Sequence, residues 1–492
     1  MNIKKIYLYG LVFFTVVFSL SPHVFSQYFD RVTSYSWSIG KADSNNEGWA
    51  LINDSEKFFA VGLWGISHYT FTKNDTEPKN NRTLFTSETE NFNLIHIQKD
   101  FQKPYMQLAG KIVSTGLTTF RWYLSESGYI GNIDLYTDDD PSNDSILNYE
   151  RMKSIREKTD SLKIYIETEI VDSLIADFDD YNFIHFIMDE PDTGGKGWYW
   201  HPDLLKIYND YIHEQNKNNL TYLDLGGNIC GNRFFYEKAF GDTFKVGTNP
   251  NNGECSPDNM DTYNYASDST SVYAYRRRWI LKDIWARRPN SYFIHKFYNN
   301  VKETASAYKN ASDVLGVNSY SVFRDYPEVA GETVDAIKAG CGSDKPVWLF
   351  FDAATDQKPR SMSFEDYFKN VECQVYTSIV HGATGAFFYA ITDSEPVKTH
   401  YWPKIKSLAK DLQERRYIFE MPVVEQYWDT QYHLPDYDHL HYSIRSSGKE
   451  KNIYLIATNT NKNKSLEVAI NGFPEFTIEP LGFEIIEKDR TD

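Results

Sequence analysis

The chain has 492 residues and a formal net charge of −17, from 51 Lys and Arg against 68 Asp and Glu. Proteins that bind nucleic acid or anionic membranes use a basic face to neutralise phosphates, so this acidic balance argues against both partners. Aromatic residues make up 16% of the chain. Flat rings with a polar edge suit a protein core and also the C–H face of a sugar, so the composition favours a neutral partner such as a carbohydrate.

Residues 1–26 have the pattern of a secretory signal peptide. Lys4 and Lys5 precede an apolar run over 6–20, and cleavage is expected before Gln27. The run is shorter than the ~20 apolar residues of a membrane span. The sequence therefore predicts a mature protein that is secreted or periplasmic and has no membrane partner after cleavage. An uncleaved N-terminal anchor is the alternative.

The chain contains four cysteines, at Cys230, Cys255, Cys341 and Cys373. An even number in an exported chain permits disulfides, and Cys230 with Cys255 is the preferred pair because the stretch between them has the composition of a loop. Free thiols are the alternative. Their spacing matches no metal motif, and we expect neither a metal nor another cofactor.

Short apolar runs alternate with helical patterns along most of the chain, which predicts a parallel sheet with helical crossovers. Strands are predicted at residues 58–63, 117–122, 162–168, 183–189, 220–225, 313–319, 346–352 and 384–390. Helices are predicted at residues 147–158, 203–216, 329–340, 364–381 and 403–416. Nearly continuous apolar runs are typical of strands buried on both faces. The predicted fold class is therefore α/β, as a (β/α)8 or TIM barrel.

The predicted barrel covers residues 27–420 and carries long loops at 64–104 and 226–312. Loops that follow barrel strands build the active-site face, so we expect these two to shape a substrate cleft. Residues 424–492 alternate between apolar and polar types and are divided by Gly, Asn and Pro turns. This pattern predicts a small C-terminal antiparallel β-sandwich.

The strongest chemical signal is the sequence FIMDEPDTGG at residues 186–195. An apolar strand brings Asp189 and Glu190 to its carboxyl end, where barrel active sites lie. Carboxylates there are costly to desolvate unless they are used or paired. Glycoside hydrolysis needs a carboxylic acid that protonates the departing oxygen, and Glu190 has the residue type and position for that role. A Glu that caps or pairs at a strand end is the alternative.

The sequence FIMDEP resembles the fourth-strand end of the retaining glycoside hydrolases with (β/α)8 barrels, a clan that includes β-galactosidases, cellulases and mannanases. Further motifs agree in order: FFAVGLWG, DVLGVNSYSV, KPVWLFFDAATD, HGATGAFFYAITD and the terminal IEPLGFEIIEK. The resemblance implies that Glu190 is the acid/base residue and that the substrate is a carbohydrate. The clan usually has Asn-Glu-Pro at this point, and Asp189 stands here in place of the Asn.

The chain departs from the clan's pattern at the end of the seventh strand, where clan members carry a Glu that acts as the nucleophile. This strand ends with Phe350, Phe351 and Asp352. Asp352 is the nearest carboxylate and is the predicted second catalytic group, as nucleophile or as a base that activates water. An Asp side chain is shorter than a Glu side chain, so the separation of the two carboxyl groups could suit either a retaining or an inverting mechanism. The competing carboxylates are Glu395, Asp393, Asp356, Glu167 and Glu169.

Polar and aromatic residues near the predicted strand ends are candidates for substrate binding, because sugar hydroxyls must find new hydrogen-bond partners when water is removed. They are Asp189, Trp64, Arg121, Trp122, Trp198, Asn228, Asn318, Tyr320, Tyr389 and Trp402. Core packing is the alternative for each of them.

The sequence thus predicts a secreted glycoside hydrolase that cleaves O-glycosidic bonds of a poly- or oligosaccharide. A non-catalytic carbohydrate-binding protein on a degenerate glycosidase barrel is the alternative, and the missing seventh-strand Glu is its main argument. No phosphate-binding Gly-Lys-Ser/Thr loop, His-Glu-x-x-His zinc motif or Gly-x-Ser-x-Gly elbow occurs in the chain. The sugar, the linkage and the oligomeric state stay open.

Overall fold

A computed structural model describes the eight barrel strands, several of the surrounding helices and most of the C-terminal region. The described residues are 37–41, 49–53, 56–64, 87–97, 112–116, 183–189, 191, 202–215, 219–226, 301–318, 323, 326–355, 358–390, 395–428, 438–447 and 452–490. The predicted signal peptide lies outside these ranges. No helix within them is long and apolar enough to cross a membrane.

A three-stranded antiparallel sheet precedes the barrel. It consists of β1 (Trp37–Lys41), β2 (Trp49–Asn53) and β3 (Glu56–Phe58). The sequence did not predict this sheet, because its strands are short and carry charged or polar residues.

Eight parallel strands form a closed barrel. They are β4 (Ala60–Trp64), β5 (Leu94–Ile97), β6 (Ile112–Gly116), β7 (Phe183–Asp189), β8 (Thr221–Leu225), β9 (Val314–Val317), β10 (Val347–Asp352) and β11 (Gly385–Tyr389). Each strand pairs with the next one along the chain, and β11 pairs with β4 to complete the ring. All carboxyl ends therefore lie at one end of the barrel.

The first strand and the last five agree with the sequence prediction, and the second and third do not. The second and third barrel strands are β5 and β6, whereas the predicted strands 117–122 and 162–168 lie outside the described residues. β5 falls inside the segment 64–104 that we predicted to be a loop. Its four residues include His96, so the apolar run was too short to stand out.

Four helices follow the prediction to within a few residues at either end. They are α1 (Pro202–Gln215), α2 (Glu328–Cys341), α3 (Phe364–Val380) and α4 (Trp402–Phe419). Residues 301–308 are also helical, and a π-helical turn at Val397–Tyr401 precedes α4. The predicted helix 147–158 lies outside the described residues. At the start of α3, the Ser363 side chain accepts a hydrogen bond from the Asp366 N–H at 3.0 Å, which is a typical N-cap.

The barrel interior is filled by aromatic side chains. The Trp64 ring meets Phe186 edge-on at 4.4 Å, and Tyr222 lies 5.7 Å from Phe387. Both contacts join strands that are not neighbours, so these side chains meet across the middle of the barrel. Other residues of these strands, such as Leu63, Ile95 and Phe351, face the other way and pack against the helices in a larger core rich in Leu, Ile and Val.

Gly62 makes room for one of these rings. A Cβ atom at this position would lie 2.4 Å from the Phe387 ring, which is far inside van der Waals contact. The Phe387 ring therefore packs directly against the β4 backbone, and a larger residue at position 62 would displace it.

The C-terminal region forms two antiparallel sheets. Its strands are β12 (Val423–Trp428), β13 (Leu440–Arg445), β14 (Asn452–Asn459), β15 (Leu466–Val468), β16 (Phe476–Ile478) and β17 (Phe483–Asp489). The larger sheet has the order β12-β13-β14-β17, and β15 pairs with β16. Both sheets contribute to one small apolar core. The predicted antiparallel β-domain is thus confirmed.

The β-domain packs directly on a barrel helix. The Tyr376 ring of α3 stacks on Phe483 of β17 at 3.6 Å, and the Thr377 hydroxyl donates to the Thr458 hydroxyl of β14 at 3.2 Å. Stacked rings and a buried hydrogen bond hold the two parts in a defined relation.

Candidate active site

Three predicted site residues lie side by side at the carboxyl ends of neighbouring strands. Asp352 ends β10 and is the register partner of Tyr389, which ends β11. Tyr389 is in turn the partner of Trp64, which ends β4. Carboxyl strand ends are where barrel enzymes place their reacting groups. We define Asp352, Tyr389 and Trp64 as the mouth cluster.

The Asp352 carboxylate is buried, with 2% of the residue exposed. The Tyr367 hydroxyl of α3 donates to its Oδ2 at 2.6 Å. The Tyr401 hydroxyl donates to the main-chain oxygen of Asp352 at 2.9 Å. Burial, and then the charge of Asp352, raises the pKa of Tyr401 well above its ordinary value, so Tyr401 remains a neutral donor. Asp352 is thus held by two phenol groups, one at its side chain and one at its backbone.

The ends of β10 and β11 are tied together just beyond Asp352. The Tyr389 carbonyl accepts hydrogen bonds from the backbone N–H groups of Ala353 and Ala354, the latter at 3.1 Å. This bridge joins the backbone just after Asp352 to the backbone of Tyr389.

Trp64 closes the aromatic interior at the carboxyl end. Its ring stacks on His96 with centroids 3.5 Å apart and an interplanar angle of 5°. His96 Nδ1 lies 3.1 Å from the Tyr222 hydroxyl, and burial lowers the pKa of His96 well below its ordinary value. A neutral His96 therefore supports one face of the Trp64 ring.

Sequence reasoning missed a second buried carboxylate, Asp224. It lies in β8 as the register partner of Asp189 in β7 and of Gly316 in β9. A Cβ atom on Gly316 would be 3.4 Å from Asp224 Oδ1, so the carboxylate lies beside the glycine. The available signal was an acidic residue within the otherwise apolar strand LTYLDL.

Asn318 follows β9 and faces the same region. Its backbone N–H donates to the Leu225 carbonyl at 3.0 Å. Its side-chain Oδ1 is buried and has no hydrogen-bond partner within the described ranges. A buried amide oxygen normally takes a donor, so Asn318 suits hydrogen bonding to a ligand hydroxyl.

Trp402 lies in the core and not at the mouth. It is 3% exposed, its ring is parallel to Phe92 at 5.8 Å, and its indole N–H donates to Glu88 at 2.5 Å. The ring packs where α4 begins, between the barrel and the helix layer, and we do not include it among the proposed sugar-binding residues. The competing carboxylate Glu395 is exposed and lies two residues before the π-helical turn.

The backbone of Asp189 ends β7. Several other predicted site residues lie outside the described residues: Glu190, Arg121, Trp122, Trp198, Asn228 and Tyr320. The same holds for the carboxylates Asp393, Asp356, Glu167 and Glu169 and for the predicted Cys230–Cys255 pair. Cys341 and Cys373 are free.

Within the described ranges, no group of three or more His, Cys, Asp or Glu side chains could hold a metal ion. The arrangement at the mouth is instead two buried carboxylates, Asp352 and Asp224, among aromatic rings. Such groups can transfer protons, attack an electrophilic carbon or stabilise a developing positive charge.

Comparisons with known proteins give only distant likenesses. No family model matches the chain, and no curated protein matches it either. Among solved structures, the chain resembles an α-L-arabinofuranosidase from Thermotoga maritima, with 8% identity, a TM-score of 0.39, and coverage of 93% of this chain and 100% of that one. A family 51 α-L-arabinofuranosidase from Bifidobacterium longum has 9% identity, a TM-score of 0.39, and coverage of 88% and 91%.

A putative β-galactosidase from Bacteroides fragilis has 10% identity and a TM-score of 0.37, over 93% of this chain and 57% of that one. The similar structures are glycoside hydrolases, but likeness at this level assigns neither a family nor an activity to this chain.

Proposed function

We propose that this protein is a glycoside hydrolase that uses Glu190 as the general acid and Asp352 as the second carboxyl group. The observation that carries the proposal is the position of Asp352. It ends a barrel strand, is buried, accepts a hydrogen bond from Tyr367, and lies in register with Tyr389 and Trp64. A buried carboxylate beside aromatic rings suits the attack on a sugar and the stabilisation of its oxocarbenium-like transition state.

The assignment of Glu190 rests on its place in the chain, directly after β7. Ile184 and Phe186 are buried, and Phe186 contacts Trp64 inside the barrel. Side chains of a strand point alternately to its two faces. The register between β7 and β8 shifts between Phe186 and Asp189, so this alternation does not extend to Glu190. Its place directly after the carboxyl end of a barrel strand supports the acid role.

In the proposed reaction, Glu190 protonates the departing oxygen while Asp352 attacks the anomeric carbon or activates a water molecule. A separation of about 5 Å between the two carboxyl groups would give retention of configuration, and about 6.5–9.5 Å would give inversion. Asp224 is the competing second carboxylate, because it is also buried at the carboxyl half of the barrel. Asn318 and Tyr389 are proposed to bind the sugar, whereas Trp64, which is 4% exposed and packs against His96 and Phe186, belongs to the barrel interior.

The test is a panel of poly- and oligosaccharides with product analysis, applied to the wild type, Glu190→Gln, Asp352→Asn and Asp224→Asn. We expect the wild type to release reducing sugar from at least one substrate and Glu190→Gln to lose turnover by a factor of about 10² to 10⁴ while it still binds. Full activity of Glu190→Gln would remove this residue from the acid role. A loss in Asp224→Asn but not in Asp352→Asn would reassign the second carboxylate.

A carbohydrate-binding protein without activity is the second candidate. The observation in its favour is that the seventh strand carries Asp352 where a longer Glu is usual in the clan that the sequence resembles. This alternative predicts saturable sugar binding by calorimetry together with no product from any substrate in the panel, even at long incubation.

We further propose that the protein is exported and loses residues 1–26. N-terminal sequencing of the protein recovered from the producing cell's medium or periplasm should begin at Gln27. An intact Met1 in a membrane fraction would instead indicate an uncleaved anchor.

A further inference from the structure

A polar cavity of about 450 Å³ lies at the end of the barrel opposite the mouth cluster. Its lining includes Phe59, Lys345 and Thr384, which directly precede or closely approach the amino ends of β4, β10 and β11. Arg445 at the end of β13 contributes from the β-domain. The cavity therefore lies between the barrel and the β-domain, away from the carboxyl ends where barrel active sites are built.

The charged side chains around this cavity comprise three cations and two carboxylates. Lys338, Lys345 and Arg445 are the cations, and Asp335 and Glu420 are the carboxylates. The carboxylates are already bonded within the protein. Asp335 Oδ2 lies 2.8 Å from His381 Nδ1, and Glu420 Oε1 accepts the Phe59 N–H at 3.0 Å.

Arg445 is the most deeply placed cation, with 3% of the residue exposed. Its terminal nitrogens donate to main-chain oxygens, including that of Ile379 at 2.6 Å. Its Nε has no hydrogen-bond acceptor among the described residues. A buried guanidinium whose partners are neutral carbonyls retains its full charge in a poorly solvated place, which is costly without a counter-ion.

Lys338 lines the same cavity as Arg445. Its ammonium group has more hydrogen-bond donors than its bond to the His381 carbonyl uses. Its Nζ donates to the His381 carbonyl at 3.2 Å, and an ammonium group has three donors. Burial lowers the pKa of Lys338 to about 8; Asp335 opposes this shift and Arg445 adds to it. Lys338 and the buried Arg445 would both be stabilised by one bound anion.

We propose that this cavity binds a small oxyanion, through Lys338 and Arg445, at the junction of barrel and β-domain. Sulfate, phosphate and the carboxylate of an acidic sugar share the required chemistry, because their oxygens accept charge-assisted hydrogen bonds from ammonium and guanidinium groups. The site is separate from the proposed active site, and a bound anion would stabilise the contact between the two domains.

The test is isothermal titration of the wild-type protein with sodium sulfate, inorganic phosphate and free glucuronate, each against sodium chloride at the same ionic strength. We expect saturable binding of at least one oxyanion and none of chloride. Binding of glucuronate alone would identify a sugar carboxylate as the ligand, and binding of sulfate or phosphate alone would identify a free inorganic ion. If none of the three oxyanions binds saturably, the proposal is overturned. The wild-type titrations alone can give this result.

Variants then locate the site. Lys338→Gln should weaken binding by about tenfold or more, because it removes a charge-assisted hydrogen bond. Lys410→Gln is the matched control, since Lys410 lies on the surface of α4 with 62% of its side chain exposed, and it should bind as the wild type does. Asp335→Asn removes a negative charge from the lining and should tighten binding several-fold.

Equal affinity of Lys338→Gln and the wild type would contradict the assignment, as would weaker binding by Asp335→Asn. None of these measurements uses glycosidase activity. Failure of the proposed reaction and failure of the anion site are therefore distinguishable.

Discussion

The two ends of the barrel carry opposite chemistry. At the carboxyl end, Asp352 and Asp224 are buried carboxylates among aromatic rings. At the amino end, Lys338 and the buried Arg445 are cations that line a cavity shared with the β-domain. A layer of rings that includes Trp348, Phe350 and Phe387 fills the barrel between them. The difference shows that one barrel can hold two charged sites that do not neutralise each other, because a packed aromatic interior keeps them apart.

The largest expected effect tests the carboxyl end. Asp352→Asn keeps the shape of the side chain and removes its charge, so turnover should fall on the order of a thousandfold. Oxyanion binding at the amino end should not change. Activity is measured on whichever saccharide the wild type cleaves, and Glu414→Gln, with an exposed side chain, is the control that should keep wild-type activity. Retained activity in Asp352→Asn would shift the second-carboxylate role to Asp224.

The next effect tests the layer between the two ends. Phe387→Ala removes a buried ring that packs on Gly62 and within 5.0 Å of Trp348. The free energy of unfolding in urea should fall by about 3–5 kcal/mol. Val424→Thr, at a position that is 53% exposed, should change it by less than about 0.5 kcal/mol. A similar small change in Phe387→Ala would show that the interior is not packed as described.

A third effect tests the helix that carries Lys338. Glu332 of α2 is fully buried, and neither carboxylate oxygen has a hydrogen-bond partner within the described ranges. Burial, and then the charges of Glu328 and Asp335, raises the pKa of Glu332 well above 4.5. For a carboxyl group whose pKa is raised by folding, the stability contribution is complete below pH 4.5 and is lost as the pH rises towards the folded pKa.

Glu332→Gln should therefore raise the free energy of unfolding at neutral pH by about 1–2 kcal/mol, and the gain should shrink towards zero near pH 4.5, the ordinary pKa of a Glu. Urea unfolding of both proteins across this pH range measures it. A less stable Glu332→Gln at neutral pH would mean that the native carboxylate has a favourable partner.

The smallest expected effect comes from a comparison of the two tyrosines that donate hydrogen bonds to Asp352. Tyr367→Phe removes the hydrogen bond to Oδ2, so turnover should fall several-fold and stability by about 1 kcal/mol. Tyr401→Phe removes only the bond to the main-chain oxygen of Asp352 and should change turnover less. Steady-state kinetics of both variants gives the comparison. A larger loss of turnover in Tyr401→Phe would show that the backbone contact matters more.

Strong local patterns predicted much of the fold. The apolar runs FIHFIMD and VWLFFD became β7 and β10, and the periodic segment before β11 became α3. By contrast, β5 was missed because His96 interrupts its short run, and this histidine is accommodated by Trp64 and Tyr222 from other strands. Such compensation depends on contacts that are distant in the sequence.

In the candidate active site, too, some residues could be predicted from local patterns and others depended on distant contacts. The position of Asp352 at the end of β10 was predicted because the end of a strand can be located from its apolar run. Asp224 was missed, since an isolated acid within a strand could face either side. Trp402 was interpreted as a sugar-binding residue because it follows the eighth strand, but the π-helical turn before it places the ring against Phe92 and Glu88.

By itself, the sequence determined the alternation of strands and helices, the antiparallel character of the C-terminal region and the residue types at most strand ends. These features depend on periodicity and turn residues, which act over a few positions. Only the tertiary structure decided that Tyr367 reaches Asp352 and that Lys338 and Arg445 line one cavity at the domain junction. Those pairs form because the barrel closes and the β-domain packs on α3, and no local pattern encodes which distant side chains then share a buried space.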